Sequence, residues 1–232
     1  MVQHSSTTGA VVLVSGGVDS SVLLHYVVKQ LTRGPIYVVS FDYGQRHWKE
    51  LECAKWQADV LDVEAHRIVD VSFLGDLVKG ASALVAGGPS VPDMASLAPD
   101  QLDQPPTYVP NRNMILLSVA TAYAEAHGIR DVYYGAQALD EYGYWDCTSE
   151  FLARINEVLA LNRREPVTIH APFITRKKVE SVRLGAELEV NFAYTWSCYR
   201  GSEIACGKCP TCVERLKAFE EAGIEDPIAY ER

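Results

Sequence analysis

The chain has 232 residues, 48% of them hydrophobic and 22% charged, and its 21 Lys and Arg against 30 Asp and Glu leave a formal net charge of −9. This length suits one large α/β domain, or a domain with a small appendage. The acidic balance argues against a broad nucleic-acid-binding surface and leaves room only for a local basic groove. No apolar run approaches the ~20 residues of a membrane span. Residues 1–9 lack the charged and long apolar regions of a signal peptide and are expected to form a flexible leader. A cytoplasmic setting is expected. Thiols stay reduced there, so the six cysteines read as metal ligands or free thiols rather than disulfides.

Val11-Val12-Leu13-Val14 is an apolar strand that stops at Ser15-Gly16-Gly17, and a helical apolar pattern (Val22, Leu23, Tyr26, Val27) follows Asp19. A strand, a tight glycine turn and a helix N-terminus aim backbone N–H groups and the positive end of a helix dipole at one spot, which suits an anion. Gly16 and Gly17 permit close approach and φ > 0. Ser15, Ser20 and Ser21 can add hydroxyl donors, and Asp19 is placed to hold Mg²⁺ or to cap the helix. A capped turn with no ligand is the other reading.

A second strand, Ile36 to Phe41, ends at Asp42-Tyr43-Gly44-Gln45, followed by a helix from Trp48 to Leu61 and a third strand from His66 to Val71. Strands alternating with helices indicate a parallel sheet with right-handed crossovers. Ligands then sit at the carboxyl ends of the strands, so the turns at Ser15–Ser20 and Asp42–His47 are expected to line one crevice. From Gly80 to Pro110 the pattern breaks: six of the eleven prolines lie here. A loop this long is expected to be a lid near the site or an inert connection. Asn111-Arg112-Asn113 opens a helix from Met114 to Glu125. A fourth strand, Asp131 to Tyr134, ends in Gly135-Ala136-Gln137, and the polar loop Asp140 to Cys147 precedes a helix from Phe151 to Leu161. A short strand, Val167 to Ala171, and a helix from Lys177 to Leu184, stopping at Gly185, complete a domain expected over residues 10–190.

The remaining stretch, 191–232, is expected to be a small metal-binding lobe. Cys198, Cys206, Cys209 and Cys212 read C-x₇-C-x₂-C-x₂-C. Two overlapping C-x₂-C steps and a fourth cysteine suit a closed, structural Cys₄ zinc site, with Gly207 and Pro210 supplying tight turns. Iron–sulfur ligation is the alternative. Cys53, inside a helix, reads as core. Cys147 reads by default as a packing residue.

Particular residues carry a resemblance beyond spacing. Ser15-Gly16-Gly17-Val18-Asp19-Ser20 after a strand resembles the pyrophosphate (PP) loop of the N-type ATP pyrophosphatases. Asp42-Tyr43-Gly44-Gln45-Arg46-His47, Val109-Pro110-Asn111-Arg112-Asn113, Gly143-Tyr144 with Asp146-Cys147 and Phe151, Lys178 with Glu180 before Arg183-Leu184-Gly185, and Thr195-Trp196-Ser197-Cys198-Tyr199 narrow the likeness. Together, from about Val11 to Tyr230, they resemble the QueC family of 7-cyano-7-deazaguanine synthases. The resemblance implies a parallel-sheet, Rossmann-like α/β sandwich of the adenine nucleotide α-hydrolase (PP-loop) type with a C-terminal zinc lobe.

The resemblance further implies that ATP activates 7-carboxy-7-deazaguanine as an acyl-adenylate, that ammonia displaces AMP to give an amide, and that a second ATP drives dehydration to the nitrile. Val14, Ser15, Gly16, Gly17, Val18, Asp19, Ser20 and Ser21 would hold ATP phosphates, with Asp19 on Mg²⁺. Phe41, Asp42, Tyr43, Gly44 and Gln45 would lie along adenine and ribose. Arg112 and Lys178 would act with Asp19 in catalysis as cations for the phosphates or the carboxylate. Arg112, Asn113, Gln137, Asp140, Tyr144 and Asp146 would meet the deazaguanine, where a carboxylate suits the N1–H and amine of a guanine edge and an aromatic ring suits its face. The four tail cysteines match the family's zinc ligands, and similar proteins form homodimers. The loop departs from the family's usual D-F/Y-S-G-Y-P-D-C-R at Tyr142, Trp145 and Thr148. Those departures motivate an alternative in which the activated acid is transferred to a protein amine. An RNA-modifying thiolase of the same superfamily is a second alternative, and a zinc-ribbon binding module without catalysis a third.

Overall fold

Five short apolar runs form one parallel sheet in the computed structural model, which describes residues 9–31, 34–98, 104–137 and 144–231. The strands are β1 (Ala10–Leu13), β2 (Ile36–Asp42), β3 (Ala65–Asp70), β4 (Asp131–Tyr133) and β5 (Thr168–His170), in the order β3-β2-β1-β4-β5. The chain builds outward from β1 to β3 and then returns to place β4 on the other side of β1. Val12 is therefore paired with Val38 on one side and with Tyr133 on the other. The reversal between β1 and β4 opens a crevice at their carboxyl ends, the usual ligand position in such sheets.

Both faces of the sheet are covered, so the central strands are apolar on both sides. Val11 of β1 packs with Leu117, Ala120 and Ile169 on one face. Ala10, Val12 and Val14 pack with Val22, Ala54, Val182 and Phe219 on the other. The first face is covered by α3 (Phe73–Val78), α4 (Arg112–Ala126) and α5 (Ser149–Leu159). The second is covered by α1 (Val18–Tyr26), α2 (Lys49–Val60), α6 (Lys178–Glu187) and α7 (Pro210–Ala222).

Several boundaries differ from the sequence expectation. Helix α1 starts at Val18, which puts Asp19 in its first turn, where a carboxylate is favoured by the helix dipole. Helix α6 does not stop at Gly185. A Cβ there would meet Phe192 at 2.5 Å and Val22 at 2.7 Å, so this glycine serves close packing against α1 rather than termination. Helices α3 and α7 have no counterpart in the sequence reading. For α7 the signals are present: Pro210 opens it, and Gly223 closes it at φ 71°.

The described part of the 80–110 segment is anchored at several points. Ala83, Leu84 and Val85 are buried, and Arg46 donates to the carbonyls of Ala83 and Pro89 at 3.0 Å each, and to that of Gly88. Met94 N donates to Lys208 O at 2.8 Å, which ties the segment to the cysteine-rich tail. The tail itself shares a core with the rest of the chain, since Ala218 and Phe219 of α7 pack with α1 and α6. No helix of the described residues is long and apolar enough to cross a membrane.

Candidate active site

The loop after β1 is shaped by its own hydroxyls. Ser15 N donates to Ser20 Oγ at 3.2 Å, the two serine Oγ atoms lie 3.0 Å apart, and Ser20 Oγ reaches Gly17 O at 3.3 Å. The two glycines differ. Gly16 has φ 87°, and a Cβ on it would fall 1.9 Å from Glu50 O. Gly17 is extended at φ −72°, and a Cβ there would meet only Ser15 Oγ at 3.4 Å and Trp196 O at 3.6 Å. Gly16 is thus demanded by the approach of α2, whereas nothing in the protein demands Gly17. Of the two glycines that permit positive φ, only Gly16 uses it; Gly17 is the N-cap of α1.

A cavity of about 280 Å³ opens over this loop. Val14, Ser15, Gly17, Val18, Asp19 and Ser20 border it, and so do Phe41 and Tyr43 from the end of β2. Gly16, Ser21, Asp42, Gly44 and Gln45 do not. Ser21 is fully buried within α1. Asp42 Oδ1 accepts from Gly44 N at 3.0 Å. Gln45 is buried, accepting from Tyr43 N at 2.8 Å and donating to Phe41 O and Glu50 Oε1 at 3.0 Å each. These residues hold the turn, and the turn presents Tyr43 to the cavity.

At the opposite wall, Arg112 and Asn113 begin α4, after Asn111 at φ 55°. Arg112 lies with its Cζ 5.8 Å from the centre of the Tyr43 ring. Burial opposes its charge, but Tyr43, Tyr199, Asp146 and Cys147 around it raise its pKa above the ordinary value, so it stays charged. Burial pushes the Tyr43 hydroxyl up to about 12, with Arg112 pulling the other way. Asp146 is 3% exposed and does not border the main cavity. It accepts from Asn113 N at 3.3 Å beside a smaller cavity of about 60 Å³, and burial raises its pKa against the opposing pull of Arg112. Arg112, Tyr144, Cys147 and Tyr199 border both cavities. Tyr144 also contacts Thr107 Oγ1 at 2.7 Å through its hydroxyl.

Two of the loop's departures from the family pattern border neither cavity. Trp145 donates from Nε1 to Tyr108 OH at 2.8 Å and packs edge-on against Phe151, while Thr148 caps α5 by accepting from Phe151 N at 3.2 Å. Asp140 and Tyr142 lie outside the described residues.

Lys178, at the start of α6, borders the main cavity with its Nζ 3.6 Å from Asp19 Oδ2 and 3.1 Å from Glu214 Oε2 of α7. Gln137, past β4, donates to Asp19 Oδ1 at 2.8 Å and to Ser181 Oγ at 2.6 Å. Gln137 therefore sits at the Ser15–Ser20 end of the crevice, braced between α1 and α6. Asp19 has a fixed orientation from both sides.

The four tail cysteines meet as expected. Their Sγ atoms all lie within 4.8 Å of one another, and all four residues are buried. Hydrogen bonds with Cys198 and Cys212 pull the Cys209 thiol down, the contact with Cys209 and burial push Cys198 up to about 11 against the pull of Cys212, and contacts with Cys198 and Cys209 raise Cys212. Four thiolates in so small a volume would need a cation to offset their repulsion, so the donor set suits a tetrahedral metal ion. The cluster also shapes the crevice. Thr211 Oγ1 donates to Ser197 O at 2.7 Å, and Trp196 N donates to Gly16 O at 2.8 Å. Arg215, 1% exposed, bonds both carboxylate oxygens of Asp226 at 2.8 Å and Thr195 Oγ1 at 2.9 Å. Cys53 packs beside the cluster, its thiol pushed up to about 11 by burial.

His47 lines the cavity, as expected of the Asp42–His47 turn, whereas sequence reasoning missed Glu50, Tyr134, Tyr199 and Glu214 as cavity residues. Glu50 is 8% exposed, and a buried carboxylate in a helix's first turn is the signal that a periodicity reading passes over.

Comparison with known proteins adds a family. The model of a family described as queuosine biosynthesis protein QueC matches residues 9–223. A 7-cyano-7-deazaguanine synthase of Caldicellulosiruptor saccharolyticus is 44% identical over 222 residues, covering 96% of this chain and 95% of its own. A protein of the same name from Psychromonas ingrahamii is 43% identical over 222 residues, covering 95% and 97%. Among solved structures, NMN synthetase from Francisella tularensis is similar with a TM-score of 0.52 at 15% identity, covering 97% of this chain and 81% of that chain, a likeness of fold alone.

Proposed function

The chain belongs to the QueC family, and we propose that it is an ATP-dependent ligase converting 7-carboxy-7-deazaguanine and ammonia to 7-cyano-7-deazaguanine in queuosine biosynthesis. The observation that carries this reading is the convergence, on one cavity, of the α1 N-terminus with its hydroxyl-lined loop, Asp19, Lys178 and Arg112. A carboxylate is a poor electrophile, and adenylation supplies the leaving group. Ser15, Gly17 and Ser20 bind the departing pyrophosphate with N–H and O–H donors at the positive end of α1. Lys178 neutralises phosphate charge when it leaves its two carboxylates. Arg112 holds the substrate carboxylate or the α-phosphate. Mg²⁺ accompanying ATP would be held with Asp19 and would supply further charge neutralisation.

Zn²⁺ suits the four cysteines. All four donors come from the protein, so the ion would be structural rather than catalytic. The reading further makes the protein a cytoplasmic homodimer acting on small molecules, with neither membrane nor nucleic acid as partner.

The test is incubation with ATP, the carboxy acid and ammonium, followed by mass spectrometry. A product lighter than the amide by one water, with AMP formed, is the expected outcome. Accumulation of only the acyl-adenylate or the amide would sink the reading. Trp145 and Thr148, two of the three departures that motivate transfer to a protein amine, border neither cavity.

A further inference from the structure

One buried carboxylate in the crevice has unused hydrogen-bonding capacity. Glu50, in the first turn of α2, is 8% exposed and borders the main cavity. Its Oε1 accepts from Gln45 Nε2 at 3.0 Å and lies 3.4 Å from His47 Nε2. Gln45 is itself fixed by Phe41 O and Tyr43 N, so the carboxylate is held in one orientation. Oε2 has no hydrogen-bond partner among the described residues. Oε2 is not among the enclosed polar atoms of the described residues, so it is open to the cavity and can accept from a ligand's N–H groups.

The surroundings restrict that ligand. The His47 ring lies 6.4 Å from the Tyr43 ring and 5.2 Å from the Tyr199 ring, centre to centre, and all three border the same cavity as Glu50. Beyond Tyr43 stands the Arg112 guanidinium. The crevice thus offers an acceptor-only end, an aromatic middle and a cationic end. A carboxylate can only accept. A 2-aminopyrimidin-4-one edge presents two adjacent donors, N1–H and the exocyclic amine. An adenine edge presents a donor beside an acceptor, whose lone pair would face the carboxylate.

We propose that Glu50 is the specificity-determining residue that reads the two-donor edge of the deazapurine, with the opposite end of the substrate, its carboxylate, directed to Arg112. The proposal rests on the function given above. It gives the guanine-edge role to Glu50 rather than to Asp146, which is committed to the α4 N-terminus and absent from the main cavity. Ribose hydroxyls of ATP and the ammonium ion also donate hydrogen bonds, and the same experiment distinguishes them.

Steady-state constants for the carboxy acid, ATP and ammonium are measured on the wild type and on Glu50→Gln, which keeps the side chain's volume. The expected result is a rise of at least about tenfold in KM for the carboxy acid, with KM for ATP and ammonium within about threefold of wild type. The wild type's preference for the acid over an analogue lacking the 2-amino group shrinks in the variant. A rise confined to ATP or to ammonium overturns the proposal, as does an unchanged preference for the 2-amino group. ATP binding by calorimetry checks the fold of the variant, and loss of both ligands gives Glu50 a structural role and overturns the proposal too. A wild type that turns over none of these substrates contradicts the ligase function itself, a distinct failure.

Discussion

The loop at Ser15–Ser20 and the tail at Cys198–Cys212 border one crevice but are held together by opposite means. The loop is self-sufficient: its hydroxyls bond its own backbone, and Gly16 fits against the α2 backbone without a ligand. The tail brings four thiols within 4.8 Å of one another, an arrangement that favours a bound cation. The two are joined where Trp196 N bonds Gly16 O and where Glu214 shares Lys178 with Asp19. A site residue can therefore fail in two ways, through the chemistry it contacts or through the cysteine-rich wall behind it.

The largest expected effect tests the tail. Cys209→Ser should lose bound metal by elemental analysis and lower stability by about 4 kcal/mol or more, a fall of roughly 10 °C in Tm. Retention of both metal and Tm would remove the dependence on which the contrast stands.

The loop is tested by its two glycines. Gly16→Ala drives a Cβ into Glu50 O at positive φ and should destabilise by about 2–3 kcal/mol by chemical denaturation. Gly17→Ala meets no such obstacle and should leave stability within about 1 kcal/mol of wild type. It should still slow ATP cleavage at least about tenfold, because the added methyl occupies the ligand's side of the loop. Equal losses of stability in both variants would contradict the different roles given to them.

Asp19→Asn should keep the fold and its metal content while lowering AMP formation on the order of 10²-fold, since it removes a charge from the reacting site only. A matching loss of Tm would instead make Asp19 a structural partner of Lys178.

The smallest effect is on the shared core. His25 is 2% exposed, bonds Gln57 Oε1 at 2.9 Å and has its pKa lowered by burial. A histidine kept neutral in the fold contributes stability above its unfolded pKa, near 6.5, and that contribution is lost as pH falls through the depressed value. Denaturation at pH 7 and pH 5 should show a smaller acid loss in His25→Gln than in the wild type. His66, also lowered by burial, works in the same direction and keeps some acid sensitivity in the variant.

Much of the framework was legible because its signals are local. Val11–Val14 and Ile36–Phe41 are apolar without interruption, as strands covered on both faces must be. Ser15–Ser20 joins a strand to a helix, and the C-x₂-C steps bring ligands together whatever surrounds them. The misses have the opposite character. Gly185 looks like a helix stop, but its missing side chain makes room for Phe192. Asp42 and Gln45 stand in the same motif as Tyr43, yet they hydrogen-bond the turn while Tyr43 faces the cavity. Glu50 was one polar residue among several in an amphipathic helix, and its role depends on where Tyr199 and Arg112 arrive from distant parts of the chain.

The amino-acid sequence by itself determined the α/β class, the strand–glycine turn–helix geometry after the first strand and the four-cysteine cluster, since each depends on residues close in the chain. Only the tertiary structure decided which polar groups face the crevice. Glu50, Arg112, Tyr199 and Glu214 come from four separate segments. Their meeting follows from strand order and from the packing of α2, α4 and α7 around the β1–β4 reversal, and no local periodicity encodes that packing.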